Sequence, residues 1–178
     1  QLLSNGNYTV MLTSAGSGFS RVRYLAVTRW REDVTRDHYG YYLYLKDCVT
    51  ENVWSAGYQP VCAEADRYEV SFSEDRARIT REDHEIASEL EIFVSPEENA
   101  EVRRLTLSNQ GSSVREIEVT SYFEVVLNSQ GADVAHPAFS NLFVETEFRP
   151  ELSTLIASRR PRSNKEKRLW MMPVLRTD

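Results

Sequence analysis

The sequence predicts an all-β protein, folded as an antiparallel β-sandwich, and three observations support this prediction. Apolar and polar residues alternate with a period of two through most of the chain, as they do in strands with one buried and one solvated face. Short segments rich in Ser, Asn, Asp, Gly and Pro separate these stretches, as turns do between strands. No stretch of twelve residues shows the periodicity of an amphipathic helix. With 178 residues, the chain can bury a sizeable core, and we expect one domain over 1–178.

The first candidate strand has Tyr8, Val10 and Leu12 on its apolar face. Further strands are predicted around residues 68–72, 76–80, 86–94, 102–107, 114–127, 142–148, 154–158 and 169–175. Turns are predicted at 4–7, 73–75, 82–84, 95–99 and 108–111. Acids occupy the second face of several strands, as Glu89 and Glu91 do, and we expect these carboxylates to face water.

The segment Asn128–Asn141 interrupts the strand pattern as a long connection, and connections of this length inside compact domains are often functional. Pro137 blocks strand pairing at its own nitrogen and restricts His136 to an extended conformation. Small and aromatic residues surround this pair, so we expect a packed loop.

Charge is unevenly distributed along the chain. Residues 43–158 carry a net charge of −13, whereas 159–168 carry +5. We expect this acidic segment to repel nucleic acid, because neutralisation of the phosphates supplies most of the nonspecific affinity of a protein for nucleic acid. The basic run is interpreted as a solvated loop, or alternatively as a surface that docks on an acidic neighbouring domain. No run approaches the ~20 apolar residues that a membrane-spanning helix needs.

The two cysteines, Cys48 and Cys62, lack the spacing of a zinc site or a disulfide framework. Idle thiols in a reducing compartment are the favoured interpretation, although a single bridge stays open because both residues flank one candidate hairpin. No Gly-x-Ser-x-Gly motif and no paired metal ligands occur. We therefore expect no catalytic residue, metal or cofactor in this chain.

The stretch Gly16–Tyr42 is the strongest candidate for function. It holds five arginines, three carboxylates and six aromatic residues, with a net charge of +2. Sugars expose C–H faces that stack on aromatic rings, and their hydroxyls pair with carboxylates and guanidinium groups. The predicted ligand-lining or interface residues are Arg29, Trp30, Arg31, Asp33, Arg36, Asp37 and Tyr39, with His136 and Asn141 as weaker candidates. The alternative is a structural Arg–Asp network that ties down a long loop, with Trp30 as its apolar anchor.

Several segments carry a family resemblance. They are LLSNGNYTVMLTSAGSGFSR, LAVTRWREDVTRDHYG, VSPEENAEVRRLTLSN, REIEVTSYFEVVL, AHPAFSNLFVETEF and ASRRPRS. Over about residues 2–163, the chain resembles the N-terminal β-sandwich of glycoside hydrolase family ninety-four. This family includes cellobiose and chitobiose phosphorylases and, with the greatest similarity, cyclic β-1,2-glucan synthases.

The resemblance implies a galactose-mutarotase-like supersandwich that precedes an (α/α)6 barrel, with the catalytic Asp on that barrel. It implies β-glucan oligosaccharide as ligand, the barrel as partner, and a parent enzyme of the bacterial inner membrane with this soluble segment on the cytoplasmic side. Because the match fades after Ser163, we also expect the sandwich to be truncated at its C-terminal end. Its open edge would then pair with another copy in a homo-oligomer.

Overall fold

The computed structural model describes residues 1–33, 35–164 and 166–177, which form mainly antiparallel strands. The strands are β1 (Leu2–Ser4), β2 (Tyr8–Leu12), β3 (Gly18–Val22), β4 (Leu25–Thr28), β5 (Tyr42–Asp47), β6 (Val53–Ser55), β7 (Arg67–Phe72), β8 (Arg76–Asp83), β9 (Ile86–Val94), β10 (Glu101–Asn109), β11 (Ile117–Tyr122), β12 (Val125–Ser129), β13 (Val144–Arg149), β14 (Thr154–Arg159) and β15 (Leu169–Met171). Two short helices, α1 (Gln130–Ala135) and α2 (Pro137–Asn141), lie between β12 and β13, and a 3-10 turn (Pro150–Leu152) joins β13 to β14. The predicted antiparallel β-sandwich is confirmed.

Four sheets arise from this order within the described residues. Their strand orders are β1-β2-β3-β4-β12, β10-β9-β8-β7, β11-β5-β6 and β13-β14-β15. One continuous cluster of buried side chains joins the first three sheets, with Val10 from β2, Leu45 from β5 and Ile92 from β9 all fully buried. Leu169 and Met171 of β15 pack on its margin.

The β2–β3 hairpin depends on close backbone approach at Gly18. Its φ is +154°, and a Cβ atom there would lie 1.8 Å from the carbonyl oxygen of Met11. Only glycine fits this position, where β3 begins beside the end of β2. This hairpin fixes the direction in which the next residue, Phe19, presents its ring.

The single strand predicted over 114–127 is wrong, because the chain changes sheets within it. β11 pairs with β5, whereas β12 pairs with β4 in a different sheet. Between them the ring of Phe123 stacks on Tyr41, with centroids 4.6 Å apart, and the backbone oxygen of Glu124 accepts a hydrogen bond from the amide of Arg29. These two contacts hold the chain where it crosses.

The loop predicted over 128–141 contains two helices instead. The hydroxyl of Ser129 caps α1 by accepting a hydrogen bond from the amide of Ala132, and Pro137 lies in the first turn of α2, where its missing N–H costs nothing. Strands β1 and β3 to β6 were not among the strands that the sequence predicted.

The structure also answers three expectations about exposed side chains, the basic run and the cysteines. Glu91 does not face water but is 2% exposed. Arg159, at the start of the basic run, is 7% exposed and donates to the carbonyl of Ser140, so the run is not simply a solvated loop. Cys48 and Cys62 are both exposed and free, so they form no bridge.

Within the described residues, no helix combines the length and the apolar character needed to cross a membrane.

Candidate functional site

The middle of Gly16–Tyr42 folds as the adjacent strands β3 and β4, which belong to the first sheet. Alternation along β3 places Phe19 and Arg21 on one face and Ser20, 1% exposed, on the other. The hydroxyl of Thr28 accepts a hydrogen bond from the Ser20 amide at 2.9 Å, which joins the last residue of β4 to the middle of β3. The chain then leaves the sheet at Arg29 and Trp30.

A cavity of about 240 Å³ opens on this part of the sheet. The Trp30 and Phe19 rings line it, with centroids 5.4 Å apart and an interplanar angle of 57°. The guanidinium carbon of Arg21 lies 5.3 Å from the centre of the Phe19 ring. Tyr24 and Gln130 complete the polar part of the lining. The cavity thus combines flat apolar faces with hydrogen-bonding groups.

Arg29 lies next to this cavity but directs its donors into the protein. It makes a bidentate contact with Asp133 of α1, with Nε–Oδ2 and Nη2–Oδ1 distances of 2.9 and 2.8 Å. It also pairs with Glu124 and donates to the side-chain oxygen of Asn141 at 2.6 Å. Its hydrogen bond to Asp133 raises the pKa of Arg29 above its ordinary value. Arg29 and Asn141 therefore lie together in an internal hydrogen-bond network with Asp133 and Glu124.

Arg31 and Tyr39 are half-buried neighbours in the segment after β4, with the guanidinium carbon 6.0 Å from the ring centre. Arg31 Nε is buried and has no hydrogen-bond partner in the part of the chain that the structure describes. The backbone oxygen of Tyr39 accepts from the Gly18 amide at 2.8 Å, which ties this segment to the start of β3.

The remaining candidates of this segment do not gather around the cavity. Asp33 is exposed and accepts hydrogen bonds from the hydroxyl and amide of Thr35, which hold the pKa of this carboxyl below its ordinary value. Asp37 accepts from the hydroxyl of Thr13 at 2.9 Å. Arg36 is exposed. These contacts serve local loop structure.

His136 lies between α1 and α2 and is exposed. Its backbone oxygen accepts from the amide of Ser140 at 2.8 Å, and its side chain makes no hydrogen bond within the described residues. Across 1–33, 35–164 and 166–177, no group of three His, Cys, Asp or Glu residues is arranged to hold a metal ion.

Sequence reasoning missed the residues that complete the site. Asp133 is 104 positions from Arg29, and its place within a presumed loop gave no sign of a buried ion pair. Glu124 was assigned to a water-facing strand surface. Gln130 reaches the cavity only because the chain changes sheets before α1. Phe19 and Arg21 stood inside the candidate stretch, and their i, i+2 spacing was the one available signal of a shared face.

Comparisons with known proteins agree with this architecture. The family model of the glycosyl hydrolase 94 supersandwich domain matches residues 1–177. The chain is 41% identical over 162 residues to cyclic beta-(1,2)-glucan synthase NdvB of Rhizobium meliloti (strain 1021), covering 91% of this chain and 6% of that protein. It is 28% identical over 148 residues to N,N'-diacetylchitobiose phosphorylase of Vibrio proteolyticus, covering 81% of this chain and 18% of that protein. A 3-O-beta-D-glucopyranosyl-beta-D-glucuronide phosphorylase of Paenibacillus borealis is 31% identical over 123 residues, with 69% and 15% covered.

The chain therefore spans less than a fifth of the length of each of these relatives. The match along almost its whole length, together with the antiparallel sandwich, shows that the chain belongs to the glycosyl hydrolase 94 supersandwich domain family.

Proposed function

We propose that this chain is a non-catalytic, carbohydrate-associated domain of a cyclic β-1,2-glucan synthase-like or glycoside phosphorylase-like enzyme. It packs on an (α/α)6 catalytic barrel and helps to shape the glucan site, with the barrel performing the chemistry. Within such an enzyme of the bacterial inner membrane, the domain lies on the cytoplasmic side. The observation that carries this proposal is the cavity lined by Trp30 and Phe19.

The cavity suits a sugar for two physical reasons. The rings of Trp30 and Phe19 offer apolar surface on which the C–H face of a pyranose can stack. Arg21, Tyr24 and Gln130 stand around that surface with donors and acceptors for hydroxyl groups. Tyr24 is 83% exposed, so its phenol is available to a ligand. Because two named relatives are a β-(1,2)-glucan synthase and a phosphorylase of a β-linked sugar, we propose a β-glucan oligosaccharide as the ligand.

Packing on a barrel is supported by exposed apolar side chains on a different sheet, β13-β14-β15. Several large hydrophobic residues on and beside β13, β14 and β15 are between 50% and 67% exposed, and they are Phe148, Leu152, Trp170, Met172, Val174 and Leu175. Concentrated exposed apolar surface of this kind is typical of an interface.

Calorimetric titration of the chain with β-1,2-gluco-oligosaccharides tests the proposal. We expect weak binding that the Trp30→Ala variant weakens by about tenfold or more, because the stacking face is removed. Trp170→Ala is the matched control, because Trp170 is an exposed tryptophan on a different sheet. Equal heats from the unmodified chain and Trp30→Ala would contradict sugar contact at the cavity.

A purely structural or oligomerising domain is the second candidate, and the Arg29 network favours it. All the donors of Arg29 that the structure pairs are directed to internal partners, so this residue presents nothing to a ligand. Under this alternative, Trp30→Ala lowers the stability of the complete enzyme and leaves its KM for glucan unchanged.

A further inference from the structure

The outward face of the β7–β10 sheet is a second concave surface, remote in the chain from the Trp30 cavity. This depression is open to solvent, has a volume of about 400 Å³ and is lined almost entirely by charged and hydroxyl side chains. The opposite face of the same sheet supplies buried residues such as Ile79 and Ile92 to the core. The sheet therefore has one ordinary core face and one hollowed polar face.

Strand register shows how the hollow forms. Glu69, Thr80, Glu89 and Thr106 stand side by side across the four strands, in one row. Neighbouring strands lie about 4.8 Å apart, so this row presents a polar group about every 5 Å. The short side chains of Thr80, Ala87 and Thr106 form the floor, and the longer Glu69, Glu89 and Arg78 rise around it.

The side chain of Arg78, at the edge of the depression, is held in place by a buried carboxylate. Glu91 is 2% exposed and accepts from Arg78 at 3.0 Å, from Arg76 at 3.2 Å and from Arg104. Arg78 Nε also lies 3.8 Å from Glu89. Because Glu91 fixes the guanidinium, Arg78 can donate to a ligand without first losing much side-chain freedom. Glu89 and Glu69 remain partly exposed, at 39% and 64% of their side-chain surface.

The chemistry of this hollow selects one class of ligand. Its lining holds three glutamates and three arginines, so the formal charges balance and favour neither an anion nor a cation; they are Glu69, Glu82, Glu89, Arg67, Arg78 and Arg81. Among the described residues, its lining contains no aromatic or long aliphatic side chain on which an apolar peptide side chain could pack. Alternating carboxylate acceptors, guanidinium donors and hydroxyls at strand spacing suit a neutral molecule with many hydroxyls. We propose that this face binds a saccharide chain through its hydroxyl groups, as a second contact separate from the Trp30 cavity.

The inference is tested with the aromatic cavity disabled, so its failure is distinct from failure of the proposed function. Amide NMR shifts of the Trp30→Ala chain are followed during titration with β-1,2-gluco-oligosaccharides up to millimolar concentration. We expect saturable shifts in β8 and β9. The absence of shifts in these strands would overturn the inference.

Two variants in the same Trp30→Ala background sharpen the test. Glu89→Ala removes a wall carboxylate and Thr80→Trp fills the floor, and each is expected to weaken binding by about tenfold or more. Glu118→Ala, an exposed acid on β11, is the matched control and is expected to leave affinity unchanged. If Thr80→Trp fails to fold, the affinity of Glu89→Ala alone tests the inference. Unchanged affinity in Glu89→Ala would overturn the inference.

Discussion

At Arg29, a single buried guanidinium joins the end of β4 to the crossing before β12 and to both short helices. Its side chain is 7% exposed and that of Asp133 is 3% exposed. A buried charge pair of this kind contributes little net stability when intact, but removing one partner leaves the other charge buried and unpaired. The position of Trp30, the next residue, depends on this arrangement.

We therefore predict that Arg29→Ala lowers the free energy of unfolding by about 3–5 kcal/mol. Denaturant unfolding followed by circular dichroism measures the change. Arg36→Ala is the control from the same segment, because Arg36 is exposed, and it is expected to shift stability by less than about 0.5 kcal/mol. A loss below about 1 kcal/mol in Arg29→Ala would show that the network does not hold the segment.

For individual residues, the sequence shows which positions are unusual but not which partners their side chains contact. The sequence identified Arg29 and Trp30 as unusual, because arginines and aromatics cluster around them. It did not distinguish ligand-facing residues from structural ones, since that difference depends on Asp133 and Asn141, 104 and 112 positions away. Alternating polarity likewise placed Glu91 on the outward strand face, but gave no sign that three arginines from β8 and β10 would cover it.

Strands β8, β9 and β10 are joined by the contacts of Glu91, whose contribution to stability depends on pH. Hydrogen bonds from Arg104, then Arg78 and Arg76, lower the pKa of Glu91 from its ordinary 4.5 to about 2. A carboxyl whose pKa is depressed by folding stabilises the protein at pH values above its unfolded pKa. That contribution is lost as the pH falls through the folded pKa.

Accordingly, the unmodified chain should melt at a higher temperature than Glu91→Gln at pH 7, and the gap should narrow between pH 4.5 and about 2. Thermal melts across this range measure it, with Glu118→Gln as the control for an exposed acid on another sheet. If the difference in melting temperature between the two proteins stays constant with pH, the arginines do not hold Glu91 as a carboxylate.

A strand was predictable from the sequence where apolar and polar residues alternate, whereas β1, β3 to β6 and the membership of each sheet were not. Tyr8, Val10 and Leu12 alternate cleanly and do form β2. The segment 114–127 alternates over Ile117–Ser121 but has consecutive apolar residues at 122–123 and 125–127, and it contributes to two sheets, with the contacts of Phe123 and Glu124 at the crossing. The two helices have six and five residues, which is too few for a helical period to emerge from a sequence.

For the whole molecule, the self-association expected from the sequence stays a prediction. We expect it to occur at the exposed apolar residues near β13 and β14. Phe148 and Leu155 are cross-strand neighbours with 64% and 36% of their surface exposed. We predict concentration-dependent association of the isolated chain that Phe148→Ser reduces, because less apolar surface is then available for burial. Light scattering over a concentration series measures this. A clean monomer at high concentration would refute the prediction.

The central claim is that the domain contributes the Trp30 cavity to a glucan site completed by a catalytic barrel. Its most direct test is steady-state kinetics of the complete enzyme proposed to carry this domain, comparing the unmodified form with Trp30→Ala and with Phe72→Ala, a partly exposed aromatic residue of β7 that lies outside the cavity and outside the proposed barrel interface. We predict that Trp30→Ala raises KM for β-1,2-gluco-oligosaccharide by about tenfold with an unchanged unfolding midpoint, and that Phe72→Ala leaves KM as it was. An unchanged KM in Trp30→Ala, accompanied by a lower unfolding midpoint, would contradict the claim and establish the structural alternative.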